Sequence, residues 1–290
     1  MDAAGTDSQT ALRKLQETEL EILLVIADFC EEHDITWFLE GGTALGAARH
    51  QGFIPWDDDV DIAMLREDYD RFCSLAATGL PAGYSLHTAR NTPGCASLFA
   101  KVYKDGTRFE NRETREAGHR QGIFVDIFPY DRLPNDPARR RREISRASLA
   151  QRLSYLYHAR SVSVPHSGAL GSLERLVCCA AHAVLRVTVR NPAVFQDRYD
   201  AVVAGEGDDL SEECLTLVWP NMRPVGIDRI LPTSVATFEG HALPVPHDLE
   251  FYLENMYGDW RQIPKPEDRH THLPLLIDFG DGCVWESESA

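Results

Sequence analysis

The segment Glu40-Gly41-Gly42-Thr43-Ala44-Leu45-Gly46-Ala47-Ala48-Arg49-His50 is followed, after Gln51, by Gly52-Phe53-Ile54-Pro55-Trp56-Asp57-Asp58-Asp59-Val60-Asp61-Ile62. A short apolar and aromatic run at residues 35–39 predicts a strand that ends at the glycine pair Gly41-Gly42. Thr43 is a good N-cap residue for the helix predicted at residues 44–50. Alternating side chains at residues 60–64 then predict a second strand. The remaining elements of the fold are predicted around this strand–helix–strand unit.

The second strand places two carboxylates on one face. Successive side chains of a strand point to opposite faces, so Asp59 and Asp61 share a face while Val60 and Ile62 share the other. Carboxylates this close repel each other unless a cation lies between them. Mg²⁺ prefers oxygen ligands and commonly takes one or two carboxylates together with substrate phosphates. The Asp59-Val60-Asp61 pair therefore predicts one half of a site for a metal–nucleotide complex.

The glycine turn adds a second feature of such a site. Glycines let backbone N–H groups approach a phosphate closely, and a helix N-terminus favours an anion. Gly41, Gly42 and Thr43 are therefore predicted to bind phosphate. The helix and loop between this turn and Asp59 would bring the phosphate-binding backbone and the carboxylates to the same edge of a sheet.

A third acid lies in the middle of an apolar run, Ile123-Phe124-Val125-Asp126-Ile127-Phe128-Pro129. A buried aspartate must have hydrogen-bond partners. Asp126 is either a structural acceptor, a third metal ligand, or a general base for an incoming hydroxyl. We favour a functional role, because a neighbouring strand would carry Asp126 to the same edge. Lys101, in a predicted strand, either reaches a donor phosphate or is an ordinary edge-strand lysine.

The remaining pattern predicts an α+β fold with a mixed β-sheet. Residues 1–135 are predicted to form the catalytic core. Residues 136–290 are predicted to form a mainly helical, substrate-shaping region whose C-terminal segment packs back on the core. Further strands are predicted at 86–88, 98–103 and 123–128, and further helices at 11–33, 66–77, 137–160, 170–189, 192–205 and 246–257.

Composition narrows the classes of partner. The 290 residues carry a formal charge of −16, and an acidic chain repels phosphate backbones, so nucleic acid is not an expected partner. The most apolar stretch, Leu173–Val189, contains charged residues and is not expected to span a membrane. The seven cysteines form no CxxC pair, which argues against a disulfide framework or a zinc site. With no apolar leader at the N-terminus, a cytoplasmic location is expected.

The two opening segments resemble the signature of the LicD family, which also resembles the fukutin and fukutin-related proteins. A second family segment resembles Val125-Asp126-Ile127-Phe128-Pro129. The similarity covers roughly residues 15–275, although residues 137–230 contain no motif that matches. The C-terminal resemblance is carried by Pro244-Val245-Pro246, Tyr252-Leu253, Tyr257-Gly258-Asp259-Trp260, Pro264, Arg269 and His272.

The resemblance implies a nucleotidyltransferase fold and a phosphotransfer reaction. Members similar to LicD transfer phosphocholine from CDP-choline to glycans, and the fukutin relatives transfer ribitol 5-phosphate from CDP-ribitol. Carried onto this chain, Asp59 and Asp61 would bind Mg²⁺ or Mn²⁺, and Asp126 would be the third carboxylate. The implied partners are a nucleotide-linked donor and a hydroxyl-bearing acceptor, such as a glycan or a small metabolite.

Three other residues are candidates for contact with the donor. Arg49 ends the helix that follows the glycine turn, so it either touches the donor or satisfies the last carbonyls of that helix. Arg269 and His272 are candidates to close over the site from the C-terminal loop. The alternative for both residues is a role in packing or at the protein surface, without contact with the donor.

Other reactions use the same residues. The site could transfer a nucleotidyl group by attack on the α-phosphorus of an NTP, or act as a kinase by attack on the γ-phosphorus, because each reaction needs a metal beside a polyphosphate. A third alternative is a nucleotide-binding regulator without activity. The complete set of acids argues against that alternative.

Overall fold

The computed structural model describes residues 7–160, 166, 168–204, 209–265, 269 and 274–287. These residues form an α+β structure with a mixed sheet, as predicted. The helices are α1 (Ser8–Glu32), α2 (Gly41–His50), α3 (Arg66–Gly79), α4 (Arg112–Ala117), α5 (Pro137–His158), α6 (Gly168–Thr188), α7 (Ala193–Val203) and α8 (Leu249–Tyr257). The strands are β1 (Phe38–Leu39), β2 (Asp61–Leu65), β3 (Tyr84–His87), β4 (Ala100–Lys104), β5 (Arg108–Glu110), β6 (Phe124–Pro134), β7 (Leu210–Leu215), β8 (Val225–Gly226), β9 (Ser234–Phe238), β10 (His241–Val245), β11 (Leu276–Asp278) and β12 (Val284–Glu286).

The central sheet has the strand order β1-β2-β6-β4-β3. Strands β2 and β6 run parallel, whereas β1–β2, β6–β4 and β4–β3 are antiparallel. The long strand β6 pairs with three other strands along its length. Its first half pairs with β2 and β4, and its second half pairs with β7. The start of β6 is therefore held from both sides, which fixes the position of any side chain there.

The main core lies between α1 and the central sheet. Ile22 and Ile26 of α1 are fully buried with Ile62 of β2 and Ile127 of β6. Burying one such side chain contributes roughly 1.5–3 kcal/mol relative to leaving it exposed. A second cluster packs α5 and α7 against the far half of β6 and β7, with Phe195 fully buried. The two clusters anchor the start and the end of β6 separately.

The start of helix α2 differs from the prediction. The helix begins at Gly41, with Glu40 in the N-cap position, so Thr43 lies in the first turn and is not the N-cap. Its hydroxyl oxygen instead accepts a hydrogen bond from the backbone N–H of Asp61 (2.9 Å). Gly41 has a φ of +54°, a conformation that glycine adopts without strain. The glycine turn therefore starts the helix earlier than the capping pattern suggested.

The prediction of a mainly helical second half is only partly right. Helices α5, α6 and α7 occupy the stretch from residue 137 to residue 203, but strands β7 to β12 follow. These strands are short, and β11 pairs with β5, which lies more than 160 residues earlier in the chain. Local periodicity carries no signal for such a distant pairing. The division of the chain at residue 135 stays a prediction.

The C-terminal part contacts the first half of the chain. Tyr252 and Leu253 of α8 are buried in the main core, and Ile277 of β11 joins them. In the described ranges, no helix is both long enough and apolar enough to cross a membrane.

Gly46 offers a stability test of this frame. A Cβ atom at Gly46 would lie 2.5 Å from the carbonyl oxygen of Gly52, so the loop after α2 must move to accept it. We expect Gly46→Ala to lower the free energy of unfolding by about 1–3 kcal/mol in urea denaturation. The control is Gly79→Ala, where the new Cβ would lie 3.4 Å from the Phe29 ring, an ordinary contact. Equal stability of the two variants would contradict the close approach.

Candidate functional site

A row of charged side chains crosses the central sheet. Asp61 on β2 is paired in register with Asp126 on β6, and Asp126 is paired with Lys101 on β4. Directly paired residues of neighbouring strands have their side chains on the same face. The three side chains therefore lie side by side, and the sheet brings together two acids that are 65 positions apart in the sequence. The predicted proximity of Asp126 to the acid pair is observed.

Lys101 is buried and paired with Asp126. Its ammonium lies 2.5 Å from Asp126 Oδ1 and 3.7 Å from the centre of the Phe124 ring, and the residue is 6% exposed. Of the two alternatives for Lys101, the ordinary edge-strand lysine is excluded, because β4 lies between β6 and β3. Contact of Lys101 with a donor phosphate stays a prediction. Burial raises the pKa of Asp126 to about 6, against the opposing effect of the Lys101 charge.

The acidic loop before β2 concentrates negative charge. Burial, and then the charges of Asp59 and Asp58, raise the pKa of Asp57 to about 8. Burial, and then Asp59 and Asp126, raise the pKa of Asp61 well above its ordinary range. Each carboxylate thus destabilises the ionised form of its neighbours. Such a cluster becomes favourable when a cation binds beside it.

These side chains fit the donor set of Mg²⁺ or Mn²⁺, since all of them offer carboxylate oxygens. Within the described part of the chain, no group of three His, Cys, Asp or Glu side chains is arranged to hold a metal ion. A cation at Asp59, Asp61 and Asp126 would therefore need substrate phosphate oxygens or a movement of the acidic loop to complete its coordination.

The glycine turn lies directly against the carboxylates. A Cβ atom at Gly41 would lie 3.5 Å from Asp61 Oδ2, and one at Gly42 would lie 3.0 Å from Asp57 Oδ2. Together with the bond from the Asp61 N–H to Thr43, these distances place the start of α2 against the acids. The sequence predicted this closeness. Phosphate binding by Gly41, Gly42 and Thr43 stays a prediction.

A buried network behind the turn was not predicted. The Tyr130 hydroxyl donates to Glu40 Oε1 (3.1 Å) and lies 3.1 Å from the Tyr252 hydroxyl, which accepts from the Gly41 N–H (3.4 Å). Burial raises the pKa of Glu40 to about 7, although the two tyrosines oppose the shift. The network connects α8 with the glycine turn. Tyr252 lies in the C-terminal motif, and that position was the only sequence signal for it.

Arg49 joins helix α2 to the C-terminal loop. Its guanidinium donates to the carbonyl oxygens of Trp260 (3.1 Å) and Gln262 (3.4 Å) and, through Nε, to His50 Nε2 (3.0 Å). Its hydrogen bonds thus go to carbonyls of this loop. Contact with a donor stays a prediction.

Arg269 lies beside the acidic loop. Its guanidinium lies 4.2 Å from the centre of the Trp56 ring, and its Nε donates to the Pro264 carbonyl. Arg269 therefore approaches the loop that carries the acids. His272, the other predicted residue of this segment, lies outside the described residues.

Glu19 on α1 is a further acid that the sequence did not reveal. The side chain is fully buried, and both of its oxygens are without a hydrogen-bond partner among the described residues. Burial, and then the charges of Asp59, Asp58 and Asp57, raise its pKa well above the ordinary range. One helical turn earlier, Gln16 donates to the Asp57 carbonyl (2.9 Å), so this face of α1 supports the acidic loop.

Comparison with known proteins gives this geometry a context. Residues 34–167 match the LicD/FKTN/FKRP nucleotidyltransferase domain. The lipopolysaccharide cholinephosphotransferase LicD of Haemophilus influenzae is 27% identical over 275 residues, which cover 90% of this chain and 95% of the relative.

Two further relatives match shorter stretches. An uncharacterised protein of Rickettsia prowazekii is 54% identical over 107 residues, 36% of this chain and 35% of the relative. The human ribitol 5-phosphate transferase FKRP is 46% identical over 57 residues, 20% of this chain and 11% of the relative. These matches show that the chain resembles the LicD family, with a match to the LicD/FKTN/FKRP nucleotidyltransferase domain at residues 34–167, and they support a phosphotransferase enzyme.

Proposed function

We propose that this protein transfers a phosphorus-containing group, such as phosphocholine or an alditol phosphate, from a CDP-linked donor to a hydroxyl group of an acceptor. The observation that carries the proposal is the row of Asp61, Asp126 and Lys101, which lies against the glycine turn at the start of α2. The acceptor would be a glycan or a small metabolite. The names of the relatives, a cholinephosphotransferase and a ribitol 5-phosphate transferase, support this class of reaction.

In the proposed site, the donor diphosphate lies between the glycine turn and the acids. The start of α2 at Gly41, Gly42 and Thr43 would bind its oxygens, chiefly through the Gly42 N–H, because the N–H groups of Gly41 and Thr43 donate to the Tyr252 hydroxyl and the Glu40 carbonyl. Asp59 and Asp61 would hold Mg²⁺ or Mn²⁺, with Asp126 as the third carboxylate. When bound, the cation supplies positive charge that offsets the charge of the diphosphate and of the departing nucleotide. The raised pKa values of Asp57 and Asp61 fit a loop whose repulsion such a cation would relieve.

The chemical step is one displacement at phosphorus. The acceptor oxygen attacks the β-phosphorus, a new O–P bond forms, and the bond from the β-phosphorus to the bridging oxygen breaks, so CMP leaves. The hydroxyl proton passes to the carboxylate of Asp126. Lys101 orients that carboxylate through its 2.5 Å contact and favours its ionised form.

Two other reactions use the same groups. Attack on the α-phosphorus of an NTP would release diphosphate, and attack on the γ-phosphorus would release an NDP. The matched domain is described as a nucleotidyltransferase, so attack on the α-phosphorus of an NTP is the second candidate. The third candidate is a regulator that binds a nucleotide without turnover. The presence of every acid of the proposed site argues against it.

Product analysis separates these candidates. The protein is incubated with Mg²⁺ and, in turn, CDP-choline, CDP-ribitol, CTP and ATP, and the products are resolved by mass spectrometry. We expect CMP from a CDP-linked donor. Diphosphate from CTP, or ADP from ATP, with the CDP-linked donors intact would contradict the proposal. Binding in calorimetry without turnover of any nucleotide would favour the regulator.

A further inference from the structure

A cavity of about 730 Å³ opens beside the charged row. Its volume is in the range of about 300–1,000 Å³ typical of sites for small molecules. Lys101 lines one end, α5 and α4 form its sides, and the segment 218–221 after β7 completes the wall. Four separate parts of the chain thus enclose a space that ends at the proposed catalytic row.

Asp126 lies next to the cavity, because Lys101 lines the cavity and contacts the Asp126 carboxylate. Phe124, which lines the cavity, lies two positions before Asp126 on β6, so both side chains are on the same face of the strand. Tyr155 of α5 also lines the cavity, and its hydroxyl lies 3.4 Å from Ser97 Oγ. Burial raises the pKa of Tyr155, and the charges of both Lys101 and Asp126 act on it. A molecule in the cavity would therefore approach Asp126 past Tyr155 and Lys101.

The walls of the cavity are fixed by hydrogen bonds. Gln151 of α5 accepts from the Leu98 N–H (2.8 Å) and donates to the Ala96 carbonyl (3.0 Å), which holds α5 against the segment before β4. Asn111 and Thr114 bond each other at the start of α4. The side chains of Gln151, Asn111 and Thr114 therefore already have hydrogen-bond partners within the protein.

Other polar groups of the lining are available to a ligand. The side chains of Glu113, Gln121, Arg152 and Asn221 make no hydrogen bond or ion pair with any other residue that the structure describes. Trp219 is 57% exposed and lines the same cavity. The available set is therefore a carboxylate, a guanidinium, two carboxamides and one large aromatic face.

This set fits a molecule with many hydroxyl groups. Planar carboxylate, carboxamide and guanidinium groups can each pair with neighbouring hydroxyls, and an indole packs against the C–H face of a sugar ring. A diphosphate fits poorly, because Glu113 would repel it and Lys101 is already paired.

We propose that this cavity is the acceptor subsite and that it takes a sugar or an alditol, which packs on Trp219 and presents one hydroxyl to Asp126. The inference rests on the proposed function, since an acceptor is needed only if a group is transferred. Trp219 and Arg152 would determine which acceptors are used. Neither residue touches the reacting phosphorus, so their effect is expected on the acceptor and not on the donor.

The first test compares the two substrates kinetically. CMP release from CDP-choline is measured with methyl glucoside, methyl galactoside, methyl N-acetylglucosaminide and ribitol as acceptors. We expect Trp219→Ala and Arg152→Ala to raise the acceptor KM about tenfold or more relative to any change in the donor KM. The control is Leu149→Ala, an exposed residue of α5 that does not line this cavity, which should leave both values unchanged. An unchanged acceptor KM, or a rise in the donor KM alone, would overturn the proposal.

The second test needs no turnover. The same four compounds are titrated into the protein while tryptophan fluorescence is recorded. We expect at least one to change the emission, and the change to disappear in Trp219→Phe. If no compound changes the emission, or if the change persists in Trp219→Phe, the subsite assignment is wrong. If the protein releases no CMP from any CDP-linked donor, the proposed function fails, and the fluorescence result still decides whether the cavity binds sugars or alditols.

Discussion

Asp61→Asn is expected to abolish transfer and, at the same time, to raise the melting temperature of the protein in EDTA. Transfer should fall because the variant loses a charge that holds the cation, and a loss of several kcal/mol of transition-state stabilisation corresponds to about 10³-fold or more in rate. The melting temperature should rise because the folded state raises the pKa of Asp61. Ionising this carboxyl at neutral pH therefore costs folding free energy, and asparagine removes that cost.

Thermal unfolding with and without Mg²⁺ measures both parts of this expectation. The wild-type protein should be stabilised by Mg²⁺, and Asp61→Asn should be less responsive to it. A suitable control is Asp28→Asn, an exposed aspartate on α1, which should change neither activity nor stability appreciably. Near-normal transfer by Asp61→Asn, or a lower melting temperature in EDTA, would show that Asp61 is not part of a cation site.

Asp126→Asn is expected to remove transfer and to destabilise the protein, in contrast to Asp61→Asn. The substitution leaves the buried ammonium of Lys101 without its anionic partner. Breaking a buried ion pair in this way typically costs about 3–5 kcal/mol. Urea denaturation measures the loss directly. The result would show whether the Asp126 carboxylate stabilises the fold through its ion pair or, like Asp61, only repels neighbouring carboxylates.

A second substitution separates stability from chemistry at this pair. In the double variant Asp126→Asn, Lys101→Met, no unpaired charge is left, so most of the lost stability should return. Transfer should remain absent, because no carboxylate is available to accept the hydroxyl proton. Recovery of transfer by the double variant would mean that Asp126 serves the fold and not the reaction. Unchanged stability of Asp126→Asn would mean that the ion pair contributes little.

Local patterns in the sequence predicted the central geometry well. The glycine pair predicted the turn from β1 into α2, and the apolar run around Asp126 predicted a strand beside the acid pair. The register of β2 and β6 places Asp61 opposite Asp126, as that expectation requires. These features are readable because each depends on a short segment whose periodicity is clear.

Features that depend on distant pairings could not be predicted. The partner of Lys101 is set by the register of β4 and β6, and the environment of Glu19 is set by how α1 packs on the acidic loop. The Thr43 hydroxyl was assigned to a cap because the sequence does not show that Asp61 lies within hydrogen-bond distance of it. The cavity beside Lys101 is likewise enclosed by four parts of the chain that no local pattern connects.

The central claim is that this row of charges supports attack on the β-phosphorus of a CDP-linked donor. Hydrolysis of CDP-choline by the wild-type protein in ¹⁸O-labelled water, with Mg²⁺, tests it most directly, because the oxygen of water marks the phosphorus that is attacked. We predict one ¹⁸O atom in phosphocholine and none in CMP, with the reaction lost in Asp61→Asn. Label in CMP would show attack on the α-phosphorus and would contradict the account.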